Sequence, residues 1–414
     1  MKKTIGIDAR MYGLKNAGIG RYVENLIEEI SKINFHNYRI QFTLFLRKND
    51  LSQLKNKYGK KFKYIEADFP HYSLKEQLAF PSVLLRAKCD LIHFPHFNVP
   101  LGYRQLFVVT IHDLTKHFSR GKETTTRSAI LYCIKYWGYK IIFNNTIKRA
   151  KLIFVDSNYT RQILTKQYQI KPKKIKVTYL GVENRLIVKS QNLKVKSKEN
   201  KNKEIVKSQN LKVKEKILQK YHITKPYLLY VGSVYPHKNI ERLIKAVKKS
   251  RKTIANLSLV IVCARNIFEK RLKNKIKAMN AQTYVKLTGF VSDEDLAILY
   301  QQSKAFAFPS LSEGFGLPGL EAMACGCPVI SSNTTCLPEI YGNAALYFDP
   351  LKTTDITQKI VKLIKDNKLR KDLIKKGYQR VKKYSWEKMV KEIVKEYHKV
   401  ILMQIASQGD SLRG

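Results

Sequence analysis

Short apolar runs recur along the chain, separated by stretches whose apolar residues return every three or four positions. In the first half the runs predict strands at Thr4–Ile7, Arg39–Leu46, Leu91–Phe94, Leu106–Ile111, Leu152–Val155 and Lys176–Tyr179. The helical stretches between them lie near Gly20–Ile33, Leu74–Arg86, Arg127–Arg149 and Tyr159–Tyr168. Strands alternating with helices imply a parallel sheet with crossover helices. Runs without strict alternation suit strands covered on both faces. The alternation resumes later with strands at Tyr227–Val231, Leu257–Cys263, Tyr284–Leu287, Ala305–Phe308 and Pro328–Ser331. Helices are expected there at Asn239–Lys249, Asn266–Met279 and Asp293–Gln301, and the end is helical: Thr354–Asp366, Leu369–Lys382 and Ser385–Ile401. The fold class is therefore α/β, in two halves, with the cleft between them the natural ligand site.

The pattern fails between about residues 186 and 216. Here the ten residues Ile187–Lys196 recur letter for letter as Ile205–Lys214, eighteen positions on. Two copies are too few for a solenoid, and the lysine-rich segment has too little apolar content to offset its ordering entropy. It reads as a linker enlarged by duplication, with a basic helix formed on an acidic membrane as the alternative. The expected organisation is a first domain over 1–185, the linker over 186–216, a second domain over 217–383, and a closing helix and tail over 384–414.

A length of 414 residues agrees with two domains. No apolar run reaches the roughly 18 residues needed to cross a bilayer, and Asp8 and Arg10 interrupt any leader-like region behind Met1. The six cysteines are scattered, which suits reduced core thiols in a cytosolic protein. Lys plus Arg number 78 against 32 Asp plus Glu. Because the lysines spread over helix faces along the whole chain, nucleic-acid binding is disfavoured. Compositional drift accounts for most of the charge, and docking on an anionic membrane is compatible with it.

Candidate chemistry concentrates in Ser312-Glu313-Gly314-Phe315-Gly316-Leu317-Pro318-Gly319-Leu320-Glu321. Its glycines let a ligand approach the backbone, and Pro318 suits the first turn of a helix through Ala324. N–H groups at such a start attract phosphate. If the segment were wholly helical, its two carboxylates would be about 12 Å apart along the axis, the scale of a sugar nucleotide. A glycosidase acid/base pair is the competing reading, disfavoured by the phosphate-binding helix start. At the other end, Gly18 and Gly20 follow the first strand, where backbone can approach a pyrophosphate. The third glycine of a dinucleotide fingerprint is missing, so a dehydrogenase is disfavoured. His93, His96, His112 and Asp113 make a poor metal set, because His93 and His96 flank Pro95 on an extended segment.

Ordered landmarks then carry a resemblance. They are Ala17-Gly18-Ile19-Gly20-Arg21-Tyr22, His93-Phe94-Pro95-His96-Phe97-Asn98-Val99-Pro100, Thr110-Ile111-His112-Asp113-Leu114 and Tyr230-Val231-Gly232-Ser233. Pro236-His237-Lys238-Asn239, Gly289-Phe290-Val291-Ser292, the glutamate loop running on to Val329, Pro338-Glu339-Ile340 and Tyr384-Ser385-Trp386 follow. In this order they resemble a retaining glycosyltransferase of family 4, in its mannosyltransferase-like subgroup of bacterial polysaccharide biosynthesis.

The resemblance implies the GT-B architecture, two Rossmann-like domains with parallel sheets facing a central cleft. It implies donor contacts from Gly18, Gly20, Gly232, Lys238, Val291, Phe315, Gly316, Leu317 and Glu321. Glu313 would hold the donor sugar, Glu321 the ribose and Lys238 the diphosphate. His112 would bind the sugar and support the transition state rather than act as an obligatory base. No cofactor or metal is expected. The expected partners are a nucleotide-sugar donor, a saccharide or lipid-linked saccharide acceptor and an anionic membrane surface, with no nucleic acid. The expected function is transfer of a hexose, foremost mannose from GDP-mannose, with retention, by a cytoplasmic protein peripheral at the inner face of the plasma membrane. Alternatives are the same fold with a UDP-sugar, a phosphorylase or epimerase, and a non-catalytic basic nucleic-acid binder.

Overall fold

A computed structural model describes residues 2–33, 40–114, 129–182 and 203–410. The chain forms two compact units. One is built on Met1–Leu114, Arg127–Gly181 and Ser385–Gly414, the other on Val182–Tyr384.

The first unit carries β1 (Lys3–Asp8), β2 (Ile40–Leu46), β3 (Phe62–Glu66), β4 (Leu91–Phe94), β5 (Phe107–Ile111), β6 (Leu152–Val155) and β7 (Ile175–Val177). They pair in parallel in the order β3-β2-β1-β4-β5-β6-β7. The second carries β8 (Tyr227–Val231), β9 (Ser258–Val262), β10 (Val285–Gly289), β11 (Ala305–Phe308), β12 (Val329–Ser332) and β13 (Ala345–Phe348). Their order is β10-β9-β8-β11-β12-β13, again parallel throughout. Every residue of β4, β5, β6, β11 and β12 is buried, which is why β6 and β11 read as unbroken apolar runs and the others as largely apolar ones broken only by His93, Thr110 and the serines ending β12. In each sheet the strand order reverses beside the first strand, between β1 and β4 and between β8 and β11. Open α/β sheets bind ligands beyond the carboxyl ends of the strands at such a switch.

The final helix, Trp386–Asp410, packs within the first unit. Tyr397 bonds His93 of β4, and a side chain at Gly181 would collide with the backbone and ring of Trp386.

Helix Lys48–Tyr58, β3, β13 and the short helix Leu337–Tyr341 lie outside the expected elements. Helix Lys48–Tyr58 buries only Asp50, Leu54 and Tyr58, too sparse a stripe to stand out among its lysines and asparagines. The strands β3 and β13 are partly exposed sheet edges; Lys63 and Glu66 make β3 mixed in composition, whereas β13 is the short apolar run Ala345–Phe348. The linker expectation also needs correction. Its first copy lies outside the described residues, but the second forms part of helix Lys203–Lys220. Lys220 and Tyr221 both bond Asp295 Oδ2, at 2.6 and 2.8 Å, tying the end of that helix to helix Asp293–Gln302. Tertiary anchoring supplies what the copy's composition lacks. Of the cysteines, Cys263, Cys325, Cys327 and Cys336 are buried, whereas Cys133 is exposed.

Candidate active site

In the second unit the loops leaving β8 and β11 flank the switch point, and each delivers one charged residue. After β8 the chain makes a 3-10 turn, Pro236–Lys238, ended by Asn239 in the left-handed region at φ 59°. Asn239 is buried and donates from Nδ2 to the carbonyls of Pro309 and Pro350, at 3.1 and 2.8 Å. The Leu311 N–H bonds the His237 carbonyl at 2.8 Å, so the two loops are stitched together. Lys238 Nζ is thereby set 2.6 Å from Glu313 Oε1, with side chains 15% and 12% exposed. A cation and a carboxylate stand side by side at the mouth of the sheet, polar yet shielded.

Glu313 is fixed from behind: its N–H reaches Thr335 Oγ1 at 3.3 Å and its carbonyl accepts from Cys336 Sγ at 3.3 Å. Helix Leu317–Ala324 begins four residues later, with Gly316 as N-cap at φ 94° and Pro318 in the first turn. The two glutamates therefore do not share one helix. Glu313 belongs to the loop, and buried Glu321 sits in the second turn, 3% exposed. Tyr341 explains two of the glycines. Its hydroxyl donates to the Gly316 carbonyl at 2.6 Å, and its ring fills the space where a Gly319 side chain would stand. Glycine at 316 thus combines positive φ with the cap of a first turn in which Pro318 has no N–H and the Gly319 N–H bonds the Gly316 carbonyl at 3.2 Å, so the Leu317 N–H is the donor without an intrahelical partner. Phe315 is buried edge-on against Tyr384, ring centroids 5.6 Å apart. Gly232 leaves β8 at φ 144°, against the Tyr230 ring. Val291 is buried after β10, two strands from the switch, next to Phe290, which is exposed.

Of the predicted residues, His112, Gly18 and Gly20 belong to the first unit and the others to the second. His112 leaves β5, with Nδ1 2.8 Å from Asp156 Oδ2 and Nε2 3.0 Å from the Pro95 carbonyl oxygen. The carboxyl ends of β4, β5 and β6 thus meet at one imidazole. A carbonyl only accepts, so Nε2 carries a proton, while Nδ1 shares a hydrogen bond with the Asp156 carboxyl. Burial opposes the charged ring, but Asp156 outweighs it and raises the pKa of His112 above its ordinary value. Burial also raises the pKa of Asp156, so the buried pair holds a proton between Nδ1 and the carboxyl. Tyr22, from helix Ala17–Lys32, packs edge-on against the imidazole at 4.6 Å.

Gly18 is open on the side where its Cβ would stand, leaving room beside the backbone. Gly20 is not: a Cβ there would run into the Gly13 carbonyl, so its glycine is required by packing of the helix start. His93 has both nitrogens engaged inside the fold, Nδ1 with Tyr397 Oη at 2.5 Å and Nε2 with Thr110 Oγ1 at 2.8 Å. Burial lowers its pKa to about 3, so it is neutral.

Two family models match this chain: Glycosyltransferase Family 4 over residues 17–185 and Glycosyl transferases group 1 over residues 213–380. The chain belongs to the family 4 glycosyltransferases. The O-antigen chain mannosyltransferase B of Escherichia coli is 28% identical over 309 residues, 74% of this chain and 74% of that protein. The O-antigen chain mannosyltransferase RfbU of Salmonella typhimurium is 27% identical over 260 residues, 63% of this chain and 61% of that protein. The solved structure of a glycosyltransferase from Rickettsia africae shares the fold at 19% identity, with a TM-score of 0.67 over 97% of this chain and 99% of that one. Anabaena HepE, solved with UDP-glucose, shares it at 16% identity and a TM-score of 0.68, over 96% and 99% of the two chains. The fold is thus GT-B, and the enzyme is a hexosyltransferase. Among the described residues, no helix of this glycosyltransferase is long and apolar enough to cross a membrane.

Sequence reasoning missed Asp156 and Tyr341. Asp156 could have been found, being the first polar residue after the buried run Leu152–Val155, where a parallel strand presents ligands. Tyr341 carries no such signal, since only the fold brings its ring beneath the glycines of a loop twenty-five positions earlier in sequence.

Proposed function

We propose that the enzyme transfers mannose from GDP-mannose, with retention, to a hydroxyl of a lipid-linked or growing surface saccharide. The observation that carries this reading is the Lys238–Glu313 pair beside the N-terminus of helix Leu317–Ala324. Lys238 and the Leu317 N–H at the helix start suit a diphosphate, and Glu313 suits hydroxyls of the sugar attached to it. As the glycosidic bond breaks, negative charge grows on the departing phosphate, where preorganised donors contribute most. With retention on one face, the leaving phosphate oxygen takes the acceptor's proton. His112, with Nε2 donating to the Pro95 carbonyl and Nδ1 engaged by Asp156, fits that scheme, because no side-chain base is required. Glu321 and the loop around Val291 are assigned to ribose and base, and Gly18 to backbone approach. Mannose is favoured by the two mannosyltransferase relatives, whereas the UDP-bound neighbour is too dissimilar to bear on the base.

Peripheral membrane docking belongs to the same proposal. Ile134, Trp137 and Ile141 stand exposed at helical spacing on helix Ala129–Arg149, with Lys140 among them. An apolar stripe with cations suits an anionic surface. Cosedimentation with anionic but not zwitterionic vesicles, lost in Trp137→Ser, is the expected outcome.

The donor is tested by a thermal-shift screen over nucleotide sugars, since a ligand selective for the folded state raises its stability. A shift with GDP-mannose and none with UDP-glucose is expected. The reverse pattern would replace mannose by a UDP-sugar, and no shift with any donor would sink the reading.

A further inference from the structure

At the switch point of the first sheet, between the carboxyl ends of β1 and β4, a polar cluster is sealed into the fold. Arg10, 1% exposed, donates from Nε and Nη2 to the two oxygens of Asp8, both at 2.7 Å, and from Nη2 to Glu76 Oε1 at 2.8 Å. Glu76 Oε2 accepts from Asn98 Nδ2 and from the Tyr72 N–H, each at 2.7 Å. Glu76 is placed by its own helix start, where Ser73 Oγ accepts the Glu76 N–H at 3.1 Å. The Arg10 guanidinium lies 3.8 Å from the centre of the Phe80 ring, so it cannot swing away.

A purely structural cluster would satisfy all its buried polar atoms. This one leaves three without partners: Arg10 Nη1, Asn98 Oδ1 and His71 Nε2. All three residues line one narrow pocket with Pro95 and His96, enclosing about 10 Å³, room for one water-sized group. Arg10 Nη1 can only donate and Asn98 Oδ1 can only accept, so the matching group is one that does both, a hydroxyl. Asp8 and Glu76 make the floor unfavourable for a phosphate or carboxylate.

Tyr72 adjoins the pocket through His96, one of its lining residues. Its side chain is half exposed, its hydroxyl lies 3.2 Å from His96 Nε2, and its backbone is held at φ 62°. A tyrosine at positive φ is strained, and strain of this kind collects at binding sites. An exposed aromatic face above a hydroxyl-matched floor suits a pyranose, which has an apolar C–H face and a hydroxyl edge.

We propose that this pocket is a saccharide subsite, taking one ring hydroxyl between Arg10 and Asn98 while the ring lies against Tyr72. It rests on the glycosyl-transfer reading only in naming that saccharide as the acceptor. The probe is methyl α-mannopyranoside, followed by saturation-transfer NMR on the full chain, with inorganic phosphate as competitor. Wild type should show transfer that phosphate does not displace. Tyr72→Ala, a surface change that spares the fold, and Asn98→Ala should each weaken binding at least tenfold, while the GDP-mannose thermal shift stays as in wild type. Should Asn98→Ala unfold, Tyr72→Ala alone decides. No transfer in wild type, displacement by phosphate, or transfer untouched by Tyr72→Ala would overturn the proposal and leave a pocket for bound water. Loss of transfer in the variants, with no GDP-mannose shift in any protein, would keep the subsite and fail the donor reading instead.

Discussion

His112 Nδ1 lies 2.8 Å from Asp156 Oδ2, and this bond sets the direction in which the imidazole titrates. Burial works against the cation, and the carboxylate outweighs it, so the folded-state pKa lies above the ordinary 6.5. A raised folded pKa contributes stability that is fully present below pH 6.5 and is lost as pH rises through the folded value. The Asp156→Asn variant should lose that contribution. Its His112 should titrate lower by NMR, and the alkaline limb of its kcat/KM profile should move to lower pH. An unmoved alkaline limb would mean that the charge on His112 plays no part in transfer.

The Lys238–Glu313 pair predicts non-additivity. Glu313→Ala leaves a shielded lysine alone and should lower stability by about 1–3 kcal/mol. It should also reduce kcat/KM by more than about a hundredfold, as loss of a preorganised group does. Lys238→Ala should weaken donor binding in the thermal-shift assay. Because the two groups touch, the double variant should lose less than the sum of the single losses. Simple addition in that cycle would mean that the two side chains act separately on the donor.

Much of this architecture was legible because parallel strands buried on both faces leave continuous apolar runs. Leu91–Phe94, Leu152–Val155, Tyr227–Val231 and Ala305–Phe308 end where their runs end. The edge strand β3 was not legible, since Lys63 and Glu66 break its run, whereas β13 carries the apolar run Ala345–Phe348 and could have been read. At the site, Glu313 and Lys238 could be named from the loops that carry them, but their 2.6 Å pairing could not. It depends on Asn239 and Leu311 stitching together loops some seventy positions apart in sequence. Gly20 carried a functional expectation, yet the Gly13 carbonyl gives it a packing reason that only the fold reveals.

The glycines separate packing from ligand approach. Gly20→Ala drives a Cβ into the Gly13 carbonyl and should lower the melting temperature clearly. Gly18→Ala meets nothing within 4 Å and replaces a first-turn helical glycine by a better helix former. It should leave the melting temperature unchanged or slightly higher while reducing the thermal shift from the donor. An unaltered donor shift in Gly18→Ala would remove Gly18 from the binding site. Gly316→Ala should fail on both counts, because its φ is 94° and a Cβ would stand 2.6 Å from Tyr341 Oη.

Buried His93 predicts the acid behaviour of the first unit. Its folded-state pKa, lowered to about 3 by burial, lies far below the ordinary 6.5, so the unfolded chain binds a proton that the folded one refuses. Stability therefore falls as pH drops below 6.5, by up to about 1.4 kcal/mol per unit, and the loss continues toward pH 3. His112 adds no slope in this range, because its contribution is complete below pH 6.5 and changes only on the alkaline side. His93→Gln removes the titrating group while keeping polar atoms near Thr110 and Tyr397, so its denaturation midpoint should vary less between pH 6 and pH 4 than that of wild type. Tyr397→Phe should cost about 1–3 kcal/mol by leaving His93 Nδ1 without its partner. Urea unfolding across that pH range checks both; an equal slope in His93→Gln and wild type would show that acid lability arises elsewhere.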